Sequence, residues 1–274
     1  MPVVLLSDRS VVSVSGTDAR VFLQGLVTCD MDRVAPDAPA FGALLTPQGK
    51  ILFDFFVVQT GEDFLLDAPR ERAADLVKRL GFYRLRSKVQ IEDLSSDARG
   101  DDALAVVALF GDEASAPADA IAYADPREAS LGRRIILPRP AAEALATDAP
   151  ALYEAHRIAC GVPKGGLDFA YGDAFPHETN MDLLHGVAFD KGCYVGQEVV
   201  SRMQHRGLAR KRVLKVEVEG DAPPGADIRA AGISVGALGG VLAGKGLATL
   251  RTDRLDEAKD APLTADGARL RVLP

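Results

Sequence analysis

The longest apolar stretches of this 274-residue chain are short, and one of them, residues 51–58, carries a carboxylate, Asp54, inside it. None approaches the roughly 20 apolar residues that an α-helix needs to span a bilayer. A core must therefore be assembled from many short segments. Apolar residues make up 47% of the chain and charged ones 26%, a balance that excludes a disordered protein. The length suits about two domains.

The segments read as mixed α and β structure. Residues 3–6 and 11–14 have strand character. Gly16-Thr17-Asp18 opens an amphipathic helix over 19–25, with Thr17 or Asp18 at its N-cap. Residues 41–45 and 51–59 flank Pro47-Gln48-Gly49 as a hairpin, and 64–66 is a third strand. Residues 69–80 form a helix with Ala73, Ala74, Leu76, Val77 and Leu80 on its apolar side. The alternation over 83–92 predicts a strand. Strands follow at 104–110, 121–123 and 133–137, a loop at 112–120, and helices at 141–145 and 151–160. Residues 161–190 are irregular and rich in glycine, a pattern common at functional sites. From residue 213 short alternating strands, broken by Pro223-Pro224-Gly225 and further glycines, predict a small antiparallel barrel. Gly239 and Gly244-Lys245 have P-loop spacing, but Gly246 stands where Ser or Thr is needed, and barrel turns account for these glycines better.

The net charge of −7 argues against a nucleic-acid or membrane-surface partner. Two basic islands stand out on this acidic chain. One is Arg202, Arg206, Arg210, Lys211 and Arg212 with His205; the other is Lys78, Arg79, Arg84, Arg86 and Lys88. Each reads as a solvated face or as a site for carboxylates. Cys29, Cys160 and Cys193 are an odd number without a CxxC pair, which suggests a reducing compartment. Residues 1–10 lack the pattern of a signal peptide, so a cytosolic protein is expected. The four histidines form no HxxH or HExxH array, so no resident metal is expected.

The densest chemistry lies in Lys191-Gly192-Cys193-Tyr194-Val195-Gly196-Gln197-Glu198. Gly192 and Gly196 permit tight turns around one thiol. Lys191 is placed to lower the pKa of Cys193, and Gln197 and Glu198 add hydrogen-bonding groups. The plain alternative is a small buried cysteine, but the polar flanks do not suit an ordinary core strand.

This octet resembles the signature of the YgfZ-type folate-binding proteins, which are iron–sulfur cluster assembly or repair factors. That family is similar in fold to the aminomethyltransferase (T-protein) of the glycine cleavage system. Ser201-Arg202, Arg206-Gly207 and Lys211-Arg212 continue the match, as do Gly161-Val162-Pro163 and Pro176-His177-Glu178-Thr179-Asn180 upstream. Phe22 to Asp30 and Leu45 to Asp54 also fit. The resemblance implies an α+β fold in a three-lobed arrangement around a central channel. Two α+β lobes, 1–35 with 101–160 and 36–100, would be joined by an irregular segment, 161–212, and a C-terminal barrel, 213–274. It also implies tetrahydrofolate, or a one-carbon derivative, as cofactor. Iron–sulfur client or assembly proteins would be partners, and the chain is expected to be a monomer.

By the same resemblance Cys193 is the reactive group and Asp54 lies beside folate. T-proteins usually show two acids where this chain has Phe53-Asp54, which speaks against full aminomethyl transfer. Lys191, Gly192, Tyr194, Gln197, Glu198, Glu178, Asn180 and Arg202 are the expected folate-binding set. A carboxylate such as Glu178 suits the donor edge of a pterin. The leading expectation is a folate-binding accessory factor for iron–sulfur clusters; a folate-dependent aminomethyltransferase and a non-catalytic scaffold are the rivals.

Overall fold

The computed structural model describes residues 2–111, 117, 120–207, 209–258 and 261–274, so most of the expected loop 112–120 lies outside the described residues. The chain divides into two compact units. Residues 1–45, 52–153 and 184–195 make the first, and residues 46–51, 154–183 and 196–274 make the second.

The first unit contains β1 (Val3–Leu5), β2 (Arg9–Ser15), α1 (Ala19–Gln24), β3 (Ala40–Leu45), β4 (Ile51–Thr60), β5 (Asp63–Pro69), α2 (Arg70–Arg84), β6 (Gln90–Asp93), β7 (Leu104–Leu109), β8 (Ile121–Ala124), β9 (Arg133–Pro138) and α3 (Arg139–Leu145). Two sheets result, one with strand order β3-β4-β5-β2-β6 and one with order β1-β7-β9-β8. Side chains alternate across each strand. Val12, Val14, Phe53, Phe55, Val57, Phe64 and Leu66 therefore share one face of the five-stranded sheet, where α1 supplies Phe22 and Leu23 and α2 supplies Ala73, Leu76 and Leu80. The strands do not follow the lobes expected. The expected lobes place β2 with 101–160, yet Val12 pairs with Leu66 and Ser13 with Glu92. Its apolar residues are in phase with β5 and bury against the same helices.

Two further differences lie near α2. The helix runs one turn beyond the expected residue 80, because Tyr83, three residues after Leu80, still packs on the core. Only Gln90–Asp93 of the expected strand 83–92 is extended. Asp18 stands at the N-cap position of α1 but makes no capping bond; its carboxylate accepts from the Lys88 amide at 2.7 Å.

The second unit carries α4 (Pro150–Ala159), whose residues from 154 belong here, and α5 (Gln197–Arg206). Then come β10 (Lys211–Glu219), β11 (Asp227–Ala230), β12 (Ile233–Leu242), β13 (Lys245–Arg251), α6 (Thr252–Ala258), β14 (Leu263–Ala265) and β15 (Ala268–Val272). The strands close into a barrel in the order β10-β13-β12-β11-β14-β15, with Val216 paired to Val272. The α+β class with a C-terminal antiparallel barrel is thus the observed one. The P-loop-like glycines lie in the β12–β13 hairpin, whose corners Ala243 and Gly244 both have positive φ, as a type I′ turn requires. Helix α5 was not expected. Its signals were local: Val200 and Met203 are buried at helical spacing, between the left-handed glycines 196 and 207.

Candidate functional site

The segment 184–195 is tied to the loop that follows α1. A six-residue helix leaves its last carbonyls without intrahelical donors. The Lys191 ammonium donates to the carbonyl oxygen of Gln24, the last residue of α1, at 2.9 Å, and to those of Val27 at 2.8 Å and Cys29 at 2.7 Å in the loop beyond it. Thr28 adds a bond from its hydroxyl to the Gly186 carbonyl at 2.6 Å, and its carbonyl accepts from the Ala188 amide at 2.9 Å. Arg33 pairs with Asp190. Burial pushes the Lys191 ammonium below its ordinary pKa, against the opposing pull of Cys29, Asp30 and Asp32. Lys191 has a different duty from the one its spacing suggests. Its three donors hold backbone, so the cation anchors this segment to the loop after α1.

Tyr194 is the second anchor. Its ring is buried, 5.2 Å from the Lys191 nitrogen, and burial pushes its phenol up to about 12. Between the two anchors Gly192 and Cys193 are exposed. Cys29 contrasts with Cys193. It is buried, and burial pushes its thiol up to about 12. A Cβ at Gly42 would come within 2.7 Å of its sulfur, so the glycine in β3 makes room for that thiol. Cys160, just after α4, is half-buried, with its sulfur 3.9 Å from His156 Nε2.

Asp54 also lies in the first unit, 6% exposed, on the β4 face that carries Phe56 rather than Phe53 and Phe55. Its charge helps hold the Arg9 guanidinium above its ordinary pKa, although burial opposes this. The same face carries an ionic cluster that sequence reading missed. Asp67, fully buried, receives Arg9 Nε at 2.6 Å, Arg134 Nη1 at 2.7 Å and the Tyr123 hydroxyl at 2.6 Å. Burial would raise the Asp67 carboxyl, but the Arg9 and Arg134 charges outweigh it and hold it below the ordinary range. Asp125 joins through Arg134 at 3.3 Å and accepts two bonds from the Arg127 guanidinium at 2.9 and 2.7 Å. Burial raises its carboxyl as well, and Arg127 reverses this to bring it to about 2. Arg134 stacks over Phe56 at 4.2 Å. The available signal was an aspartate inside the apolar run 64–68.

The other expected site residues lie in the second unit. Glu178 caps its own short turn by accepting from the Phe175 amide at 3.0 Å. Asn180 is left-handed at φ 61° and donates to the Val213 carbonyl of β10 at 2.8 Å, while its Oδ1 is buried without a hydrogen-bond partner. Gln197 opens α5. Glu198 and Arg202 are exposed and pair with each other at 2.7 Å, one helical turn apart. Within that basic island Arg212 is bidentate to Asp182 at 2.6 and 2.8 Å. The structure therefore groups Asp54, Lys191, Gly192, Cys193 and Tyr194 in one unit and Glu178, Asn180, Gln197, Glu198 and Arg202 in the other. Among the described residues no three His, Cys, Asp or Glu side chains come together as a metal site.

Comparison with known proteins adds to this geometry. Residues 210–274 match the model of the CAF17 C-terminal β-barrel domain. The chain is 37% identical to the Mycosarcoma maydis protein named iron–sulfur cluster assembly factor IBA57 homolog, mitochondrial, over 79% of this chain and 57% of that one. It is 32% identical to the Homo sapiens factor IBA57, mitochondrial, over 91% of this chain and 77% of that one. The chain spans little more than half the length of the fungal relatives. Among solved structures, aminomethyltransferase T of the glycine cleavage system from Bartonella henselae superposes with a TM-score of 0.77 at 18% identity. The match covers 100% of this chain and 85% of that one, and it bears on the fold alone. These relatives are IBA57 factors, a family related to the YgfZ-type proteins that the octet suggested. Their mitochondrial names overturn the cytosolic expectation.

Proposed function

From the premise that this chain belongs to the IBA57 family of iron–sulfur cluster assembly factors, we propose that it acts in cluster assembly through the thiol of Cys193. The cluster is cargo in this reading. Thiolate is the iron-binding form of cysteine, and a cluster takes four ligands. Cys193 supplies one, and an assembly or client protein supplies the rest. The observation that carries the reading is the exposure of Cys193 between the buried anchors Lys191 and Tyr194. A loop pinned at both neighbours presents the sulfur outward at little entropic cost on docking.

Reduced folate is the second ligand in this reading. A pterin carries an amino group and a ring N–H that seek acceptors. The second unit offers Glu178 and the unmatched Oδ1 of Asn180. Folate would supply a one-carbon carrier, while these residues bind and orient it.

The test is anaerobic transfer of a cluster to an apo client enzyme, followed by visible absorption and regained activity. The native chain raises the yield, and Cys193→Ala falls to the level without it. An undiminished Cys193→Ala variant overturns the thiol reading. Calorimetry with tetrahydrofolate tests the second ligand. Micromolar binding weakened by Glu178→Gln supports it, and no heat from the native chain overturns the folate part alone.

A further inference from the structure

The last turn of α2 and the tight turn after it carry features that neither the thiol nor the folate reading uses. Lys78 and Arg79 lie one helical turn before Phe82 and share its face. All three are exposed, Phe82 at 65%. The helix ends at Arg84. The Ser87 amide then bonds the Arg84 carbonyl at 2.7 Å, which closes a four-residue turn with Leu85 and Arg86 at its corners. Leu85 has φ 42° and ψ −104°, near the first corner of a type II′ turn, a position that ordinarily takes glycine. A leucine there is strained, and its side chain is 89% exposed, so no burial in the folded chain offsets the strain.

Beside this turn lies a groove of about 690 Å³ lined by Asp18, Tyr83, Leu85, Arg86 and Ser87. Its one carboxylate, Asp18, is engaged by the Lys88 amide. Five cations of the last turns of α2 and the turn after it are exposed, Lys78, Arg79, Arg84, Arg86 and Lys88, and Arg86 lines the groove itself. None of them makes an ion pair among the described residues. Other surface arginines of this unit do: Arg99 reaches Glu92 at 3.6 Å and Arg139 reaches Asp97 at 2.8 Å. On a chain of net charge −7, five unmatched cations within eleven residues that also hold two exposed apolar side chains, Phe82 and Leu85, form a local segment of opposite character.

We infer that this surface docks an acidic segment of a partner protein, with an aliphatic side chain of that segment seated in the groove among its own carboxylates. The charge selects carboxylates or phosphates. The apolar groove wall selects against a plain polyglutamate tail or a phosphate backbone, neither of which brings an aliphatic group. The concavity suits a side chain better than a flat lipid surface. The inference does not rest on the cluster or folate readings, whose residues lie elsewhere in the sequence.

The test uses the full chain and fluorescence anisotropy with a labelled synthetic peptide of Asp and Glu interleaved with Leu. The comparators are the same peptide with Ser for Leu, hexaglutamate, vesicles containing phosphatidylglycerol, and a DNA duplex. Saturable binding of the Leu peptide is expected, weakened at least about tenfold by Ser for Leu and weakened again by added salt. Double variants Phe82→Ser with Leu85→Ser, and Arg84→Glu with Arg86→Glu, each lower affinity by a similar factor. These side chains are exposed, so both variants keep the native melting profile. Absence of saturable binding, equal binding of hexaglutamate or the Ser peptide, tighter binding to vesicles or duplex, or unaffected double variants would each overturn the inference.

Discussion

The Lys191 ammonium lies 2.7 Å from the carbonyl oxygen of Cys29, so one buried cation joins the segment that exposes one cysteine to the segment that buries another. That bond and its two companions fix where Cys193 stands. They also make Lys191 hard to replace. An arginine presents a flat fork and cannot point three donors at three converging carbonyls.

Lys191→Met is expected to destabilise the chain by about 3 kcal/mol, since it leaves buried carbonyls unmatched. Lys191→Arg should recover little of this. Denaturant unfolding measures the loss. Limited proteolysis should cut within 184–195 in the variant before it cuts the native chain.

The cysteines should separate by reactivity. In the native protein iodoacetamide is expected to label Cys193 first. Cys29, buried and with its thiol raised to about 12, is expected to react only after denaturant is added. Peptide mass spectrometry over a time course reads the order, and early labelling of Cys29 would contradict the burial described.

Asp125 predicts a defined acid response. Its carboxyl is lowered from 3.8 to about 2 in the folded chain, so the folded state holds its proton less tightly than the unfolded state. The stability it contributes is therefore fully present above the unfolded value and is lost as pH falls through about 2. The amount is about 2 kcal/mol. Asp125→Asn should remove that part of the acid dependence, as read from denaturant midpoints between neutral pH and the acid limit.

Leu85→Gly should raise stability by about 1 kcal/mol, because glycine accepts the positive φ that strains leucine. A gain in the denaturant midpoint accompanied by weaker binding of the acidic Leu peptide would separate a strained docking residue from a merely tolerated one.

Much of this architecture could be read along the chain, because much of it is periodic. The barrel strands alternate, α1 begins where Gly16-Thr17-Asp18 places it, and Cys193 stands out through its polar neighbours. What could not be read depended on distant partners. Asp67 meets Arg9 and Arg134 across 58 and 67 residues, and no local pattern encodes that register. Lys191 looked like a partner for a thiol two residues away because its true partners lie more than 160 residues upstream. At 83–92 the alternation was real but spanned a helix end, a tight turn and a short strand, three conformations that period alone cannot separate.

Helix α1 has six residues, too few to persist alone in water, and the carbonyl of its last residue, Gln24, accepts from Lys191. Ribosomes release chains from the N-terminus. Helix α1 emerges well before Lys191 is made, so the Gln24 carbonyl at its end waits for a side chain 167 residues behind it. Until Lys191 leaves the exit tunnel, the nascent first unit carries an unfinished helix end, and this is the interval in which a chaperone would have most to protect.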